Sequence, residues 1–449
     1  MSTSPVSRVR NRRWPAAVTA LAFVLAGCGS ADPNVGGGSA AAPFQPVAQE
    51  EGSEITIWVD ATRVPAVKAY QAARPDVKIK MVTYSGGANG SNELQTKVQL
   101  FDRTGSGWPD VVWPNTQDIS WATAGEKPFA APLDGLVPQS TLDGYADGAL
   151  ERCQVNGKLY CLRNDLAQVV LWYNKPLMDQ WGYTVPTTWE EYQALGEKVA
   201  REHPGYLVGT AGDAYSEEIY FWASQCPASV LTGEKAVRVD LRDAKCTRMA
   251  SLLDTLMTAG SMARTTVFDA GFIANNASKV LLMPGPSWYG QVLFNETFKT
   301  PAGQIAAAPP LKFAGDQETF TGSVGGGIWM VSSHSKNLKA GADFVQWVTT
   351  NEDFLKTSGT YPADKSAAKV WLEKQASENY FAADVAPVFE AAAGQVWPDW
   401  AATTQYSQEA IYSSTILPAL TAGDTLTSKL PDWQTAIEQK ARSLGYQVN

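Results

Sequence analysis

The chain has 449 residues, 45% hydrophobic and 18% charged, enough apolar material for two or three buried cores and far from a disordered composition. Beyond residue 27, 32 basic side chains face 45 acidic ones. That balance excludes nucleic acid as the main partner, because neutralising phosphates needs a basic face. His203 and His334 are the only histidines, so zinc catalysis and a Ser-His-Asp mechanism are poor expectations.

Arg8, Arg10, Arg12 and Arg13 give a positive N-terminal region, followed by a mainly apolar stretch from Trp14 to Gly27. Its 14 residues fall short of the ~18 that a membrane span needs, so residues 1–27 read as a signal peptide. Leu25-Ala26-Gly27-Cys28 resembles the bacterial lipobox. The resemblance implies lipidation of Cys28 and an anchor on the extracytoplasmic face of the cell membrane. The alternative is a secreted chain with a stray cysteine. Arg12-Arg13 fits either general or twin-arginine export. Residues 28–53, rich in Gly, Ala, Ser and Pro, read as a flexible linker with a root-mean-square reach of about 25–30 Å.

From Glu54 the pattern alternates strands and helices. Ile55, Ile57 and Val59 alternate along one strand face. Thr62 is the expected cap of the next helix, with Pro65 in its first turn and Arg74-Pro75 as its stop. Val77, Ile79 and Met81 alternate again, which makes a βαβ unit and implies a parallel sheet. Short strands follow at Asp110 to Trp113 and at Val169 to Tyr173, the second ended by Lys175-Pro176. Thr187-x-x-Glu190 is the expected capping box of a helix carrying Trp189, Tyr192, Leu195 and Val199. Val280 to Met283, Ile305 to Ala308 and Ile328 to Val331 read as strands, Ser335 as the cap of the next helix, and the last ~85 residues as mostly helical. The class is α/β, with two lobes because 422 residues exceed a single core.

Apart from Cys28 there are four cysteines, Cys153, Cys161, Cys226 and Cys246. Export permits disulfides, and local pairing of 153 with 161 and of 226 with 246 is preferred among three connectivities. A metal site lacks the C-x-x-C spacing and a nearby histidine. No cofactor is expected.

Five segments in order resemble the extracellular solute-binding proteins of carbohydrate ABC importers, the maltose-binding-protein-like family 1. They are the start from Ile55 to Val82; Trp108-Pro109-Asp110-Val111-Val112-Trp113; Gly157-Lys158-Leu159-Tyr160 with Leu171-Trp172-Tyr173-Asn174-Lys175 and Val185-Pro186-Thr187-Thr188-Trp189-Glu190-Glu191; Met283-Pro284-Gly285-Pro286-Ser287-Trp288; and Gly325-Gly326-Gly327 ahead of Ser332 to Asn337. The sequence departs from the family pattern at Cys161, where glycine is usual, and at the inserted Ser287. The resemblance implies a two-lobed, periplasmic-binding-protein-like fold with an interlobe cleft and hinge. Mapped here, lobe one would be 54–163 plus 312–362 and lobe two 164–311 plus 363–449.

A sugar presents hydroxyl edges and C–H faces, so its site needs aromatic planes together with a few placed polar groups. Trp288 is the leading stacking candidate, since the family often places a ligand-stacking tryptophan there, and Tyr289 adjoins it. Trp113, Trp222 and Trp400 are further candidates, each with core packing as the alternative. Asp60 and Arg63 after the first strand, Asp165 near a crossover, Asn115, and Asn89 or Asn92 in a polar loop are candidates for the hydroxyls, with a solvated surface role as the alternative. Gly325 to Gly327 lacks the G-K-[ST] ending of a phosphate loop, so no nucleotide site is expected.

The expected function is a monomeric, non-catalytic lipoprotein that captures a sugar or oligosaccharide and passes it to the permease subunits of an ABC transporter. A secreted glycoside hydrolase is the alternative from another class, requiring two carboxyls about 5–9.5 Å apart. A third reading is a binder of a charged solute, for which Arg63 and Arg163 are the available cations.

Overall fold

The computed structural model describes residues 44–85, 92–125, 127–233, 235–398, 404 and 406–449. Its first sheet has five strands in the order Ile79–Thr83, Ile55–Val59, Val111–Val112, Ile328–Val331, Leu162–Arg163. The first three run parallel, with Ile55 opposite Ile79 and Ile57 opposite Val111. Ile328–Val331 is antiparallel to both of its neighbours. Ile55, Ile57 and Val59 are fully buried, as their alternation requires, and Ile79 and Met81 pack partly buried against the same core. A second, antiparallel sheet orders Leu282–Pro286, Val169–Asn174 and Ile305–Ala308.

Three crossing segments join the elements around these sheets. Residues 164–168 lead from Leu162–Arg163 to Val169–Asn174, and residues 309–327 lead from Ile305–Ala308 back to Ile328–Val331. The third passes through Pro362. They meet in isolated bridges, Asp165 to Pro362 and Gln168 to Ser323. Arg163 lies buried among them and donates to the carbonyls of Asp165 at 2.9 Å and Leu166 at 3.0 Å, and to Ser323 Oγ at 3.2 Å.

One apolar core gathers around the first sheet and continues behind the crossing segments to Trp172, Phe294 and Phe389. Trp172 is fully buried there, within 6 Å of the rings of Phe294, Phe381 and Phe389. A second core joins the helices Trp189–Glu202, Ala244–Ala259, Gln408–Thr421 and Leu426–Ser443. The C-terminal 85 residues are mostly helical, as expected.

Helix starts differ from the sequence expectation by one or two residues. Asp60, not Thr62, caps the first helical turn by accepting from the Thr62 and Arg63 amides. The capping box is Thr188 with Glu191, and Asn337 rather than Ser335 caps Leu338–Thr350. Lys175-Pro176 begins a helix, Lys175–Trp181, because Asn174 closes the strand and caps it by accepting from the Leu177 amide at 3.1 Å. Asn174→Ala should therefore lower unfolding stability by about 1 kcal/mol in a urea titration.

Both local cysteine pairs are closed, with Cα–Cα distances of 5.0 Å for Cys153–Cys161 and 4.6 Å for Cys226–Cys246. Within residues 28–53, expected as a linker, Gln49 and Glu50 make contacts with the body. The Leu338 amide donates to Gln49 Oε1 at 3.0 Å, and the Glu50 amide donates to the Lys336 carbonyl at 2.7 Å. The first of these satisfies an amide that the N-terminus of Leu338–Thr350 otherwise leaves open.

Candidate functional site

The parallel strands of the first sheet all release their chains at one edge, and α/β clefts form at such edges. Asp60 follows Ile55–Val59, Tyr84 follows Ile79–Thr83, and Trp113 and Asn115 follow Val111–Val112. These residues form one wall of a cleft of about 730 Å³. Trp288, Tyr215 and Phe268 contribute aromatic surface to it, and the crossing segments supply Asp165, Gly325, Gly326 and Gly327.

Six sequence candidates thus come together: Asp60, Arg63, Trp113, Asn115, Asp165 and Trp288. The Arg63 guanidinium lies over the Trp113 ring at 4.2 Å, a cation–π contact that holds both at the wall. Trp113 Nε1 and Arg63 Nε are buried donors without a protein partner. Asp60 Oδ1 is engaged by the Thr62 amide at 2.9 Å and the Thr62 hydroxyl at 2.6 Å. Asp165 Oδ1 accepts from the Gly327 amide at 3.1 Å. Both carboxylates are therefore held in place by the backbone they brace, which preorganises them.

Trp288 is half-buried. Its indole N–H donates to the Val324 carbonyl at 3.1 Å, tying the ring to a crossing segment. Phe268 lies nearly parallel to it at 6.2 Å, while Tyr289 and Tyr215 meet it edge-on at 4.7 and 6.4 Å. Phe268 remains 37% exposed, unusual for so large an apolar side chain.

Two candidates lie elsewhere. Tyr289 is buried beneath Trp288 and against Gly285, so it supports the tryptophan without lining the cleft. Adjacent residues of a helical turn point about 100° apart, so only one of the pair can face the opening. Trp222 is buried in a small cluster with Trp397. Its N–H donates to Glu217 Oε1 at 3.3 Å. Asn89, Trp400 and Cys28 lie outside the described residues, as does the Asn92 side chain. Arg163, a candidate cation for a charged solute, is spent on the crossing segments and does not line the cleft.

Sequence reasoning missed Tyr84, Tyr215, Phe268, Val292, Glu296 and Thr360 as lining residues. Tyr84 carried a usable signal, its place directly after a parallel strand. Tyr215, Phe268 and Thr360 sit on loops or turns, and Val292 and Glu296 on the π-helix Tyr289–Thr297, whose turn does not follow the 3.6-residue period.

The profile of the bacterial extracellular solute-binding protein family matches residues 54–353. A multiple sugar-binding protein of Streptococcus mutans is 25% identical over 315 residues, covering 65% of this chain and 69% of that protein. An arabinooligosaccharide-binding protein of Bacillus subtilis is 24% identical over 378 residues, covering 80% of each. The galacto-N-biose/lacto-N-biose I-binding protein of a Bifidobacterium longum ABC transporter, solved with lacto-N-biose, superposes with a TM-score of 0.73 at 18% identity, covering 89% of this chain and all of that one. That likeness shows the same two-lobed fold. The chain belongs to the bacterial extracellular solute-binding proteins, and its role is to bind a substrate.

Proposed function

We propose that this protein captures a neutral oligosaccharide in the cleft and delivers it, unchanged, to an ABC import permease. The observation that carries the reading is the pairing of aromatic planes with fixed polar groups across one cleft: Trp288 and Phe268 with Trp113, beside Asp60, Asn115 and Asp165. Such surfaces suit the C–H faces and hydroxyl edges of a sugar. The names of the relatives support the same class. A charged anion is disfavoured, since Arg63 is the single cation among the lining residues against Asp60, Asp165 and Glu296.

In this reading no catalytic group is needed, because the transporter supplies the energy. The lobes are residues 54–163 with 312–362, and 164–311 with 363–449, hinged at the crossing segments. The lipobox-like Leu25-Ala26-Gly27-Cys28 supports an anchor through Cys28, with the monomeric body tethered outside the membrane.

The test is a thermal-shift screen against arabinooligosaccharides, galactobioses, lacto-N-biose I, maltooligosaccharides, amino acids and phosphate esters. A ligand at a hundred times its Kd should stabilise by about 2.7 kcal/mol. A shift with one sugar class, the sugar being recovered intact, is the expected result. Recovery of cleaved sugar, or a shift with charged solutes alone, overturns it.

A further inference from the structure

Beside the cleft, three carboxyl side chains are buried in one place. Glu217 and Glu218 belong to the π-helical turn Glu217–Phe221 and are 0% and 1% exposed. Glu409, near the start of Gln408–Thr421, is 6% exposed. Both of these elements pack in the second core. Gln117 comes from the other side, in the turn Thr116–Asp118 that follows a strand of the first sheet. Its amide Nε2 donates to Glu218 Oε1 and, at 3.3 Å, to Glu409 Oε1. One amide nitrogen thus draws Glu218 Oε1 and Glu409 Oε1 to the same point.

Two ionised carboxylates held by one donor in a buried site repel each other and lose hydration, so burial and mutual repulsion favour a proton on the pair. Glu217 Oε2 and Glu218 Oε2 are buried and have no protein partner. The charged groups facing the cluster pull in both directions. Arg152, from the turn Glu151–Cys153, favours ionised Glu218, while Asp118 and Asp213 oppose ionised Glu409. Arg163 is within electrostatic range of Glu218, but its hydrogen bonds go to the crossing segments. Tyr215, Tyr406 and Tyr412 complete the ionisable surroundings among the described residues, each raised above the ordinary phenol value by burial.

We propose that closure of the two lobes takes up protons, with the Glu218–Glu409 pair as the acceptor and Gln117 as the contact from the opposite lobe that holds the pair shut. The inference rests on the binding-protein reading for the closing motion itself. Hinge opening withdraws Gln117 and lets water reach the acids.

The sign follows from burial. Hydrated glutamates titrate near ~4.3. Burial raises Glu217 and Glu409 to about 8 and pushes Glu218 up as well. Protons therefore favour the closed form. The closed form has its full advantage below pH ~4.3, and this is lost as pH rises through about 8. Across that window, uptake of one proton makes ligand affinity fall about tenfold per pH unit.

Two readouts test this. Small-angle scattering of the ligand-free protein at about pH 5 and about pH 9 should show the smaller radius at the lower pH. Titration with arabinotriose and lacto-N-biose I across the same range should show Kd rising with pH. Glu218→Gln with Glu409→Gln, neutral and the same shape, should flatten both responses, with circular dichroism confirming the fold. A scattering radius and a Kd that ignore pH overturn the inference, as does a double variant that keeps the wild-type slope. If the double variant does not fold, the wild-type pH response decides. If neither sugar binds, the sugar reading suffers, and the ligand-free scattering still decides proton-linked closure.

Discussion

Trp288→Ala should weaken oligosaccharide binding by at least ~30-fold, about 2 kcal/mol, while leaving the two-lobed fold intact. The indole is the more exposed of the two that line the cleft, and it is not free to swing away. Its N–H is held by the Val324 carbonyl, Tyr289 supports it from beneath, and Phe268 extends its plane toward solvent. A rigid aromatic platform loses little entropy when a sugar face settles on it, so most of its contact energy reaches the affinity. Alanine removes the platform and leaves Tyr289 uncovered. Trp288→Phe keeps a flat face but loses the bond to Val324, so it should fall between the two. Isothermal titration with whichever sugar the screen identifies, read beside a thermal melt, separates binding from folding. Wild-type affinity in the alanine variant would sink the site assignment at its best-supported residue.

Much of this arrangement was legible in the sequence because strand ends are. The alternation at Ile55, Ile57 and Val59 fixes where the first strand stops, and Asp60 and Arg63 must follow at the sheet edge. Trp113 and Asn115 follow in the same way. Capping was less legible: Asp60 and Thr62, Thr187 and Thr188, and Ser335 and Asn337 are polar residues within one turn, and the backbone's entry angle selects which of each pair meets the open amides. Tyr215 and Phe268 could not be found by period, since neither lies in a regular element. Glu217-Glu218 looks in sequence like an ordinary acidic turn. Only the packing of Gln408–Thr421 and of Gln117 against it removes water and turns those charges into a buried pair.

Gly327→Ala should cost both stability, about 3 kcal/mol, and ligand affinity, while Gly325→Ala should cost about 1 kcal/mol of stability and little affinity. The two glycines sit two residues apart on the same cleft wall and differ in what surrounds them. A Cβ on Gly325 meets nothing within 4 Å; its φ of +72° alone opposes a side chain. A Cβ on Gly327 would lie 2.1 Å from Trp113 Cζ2 and 2.3 Å from its Nε1. No rotamer of the added methyl relieves that overlap, so either the indole or the backbone must move. The backbone is pinned, since the Gly327 amide donates to Asp165 Oδ1 and its carbonyl accepts from the Asn164 amide at 2.9 Å. The strain therefore falls on Trp113, and through the guanidinium stacked on it, on Arg63. That wall would lose its aromatic plane and its two unpartnered donors together, so affinity should drop at least tenfold. Denaturant titration and sugar binding on the two alanine variants make the comparison. Equal losses in both would mean that backbone conformation, and not the packing of Trp113 against the crossing segment, sets the shape of this wall.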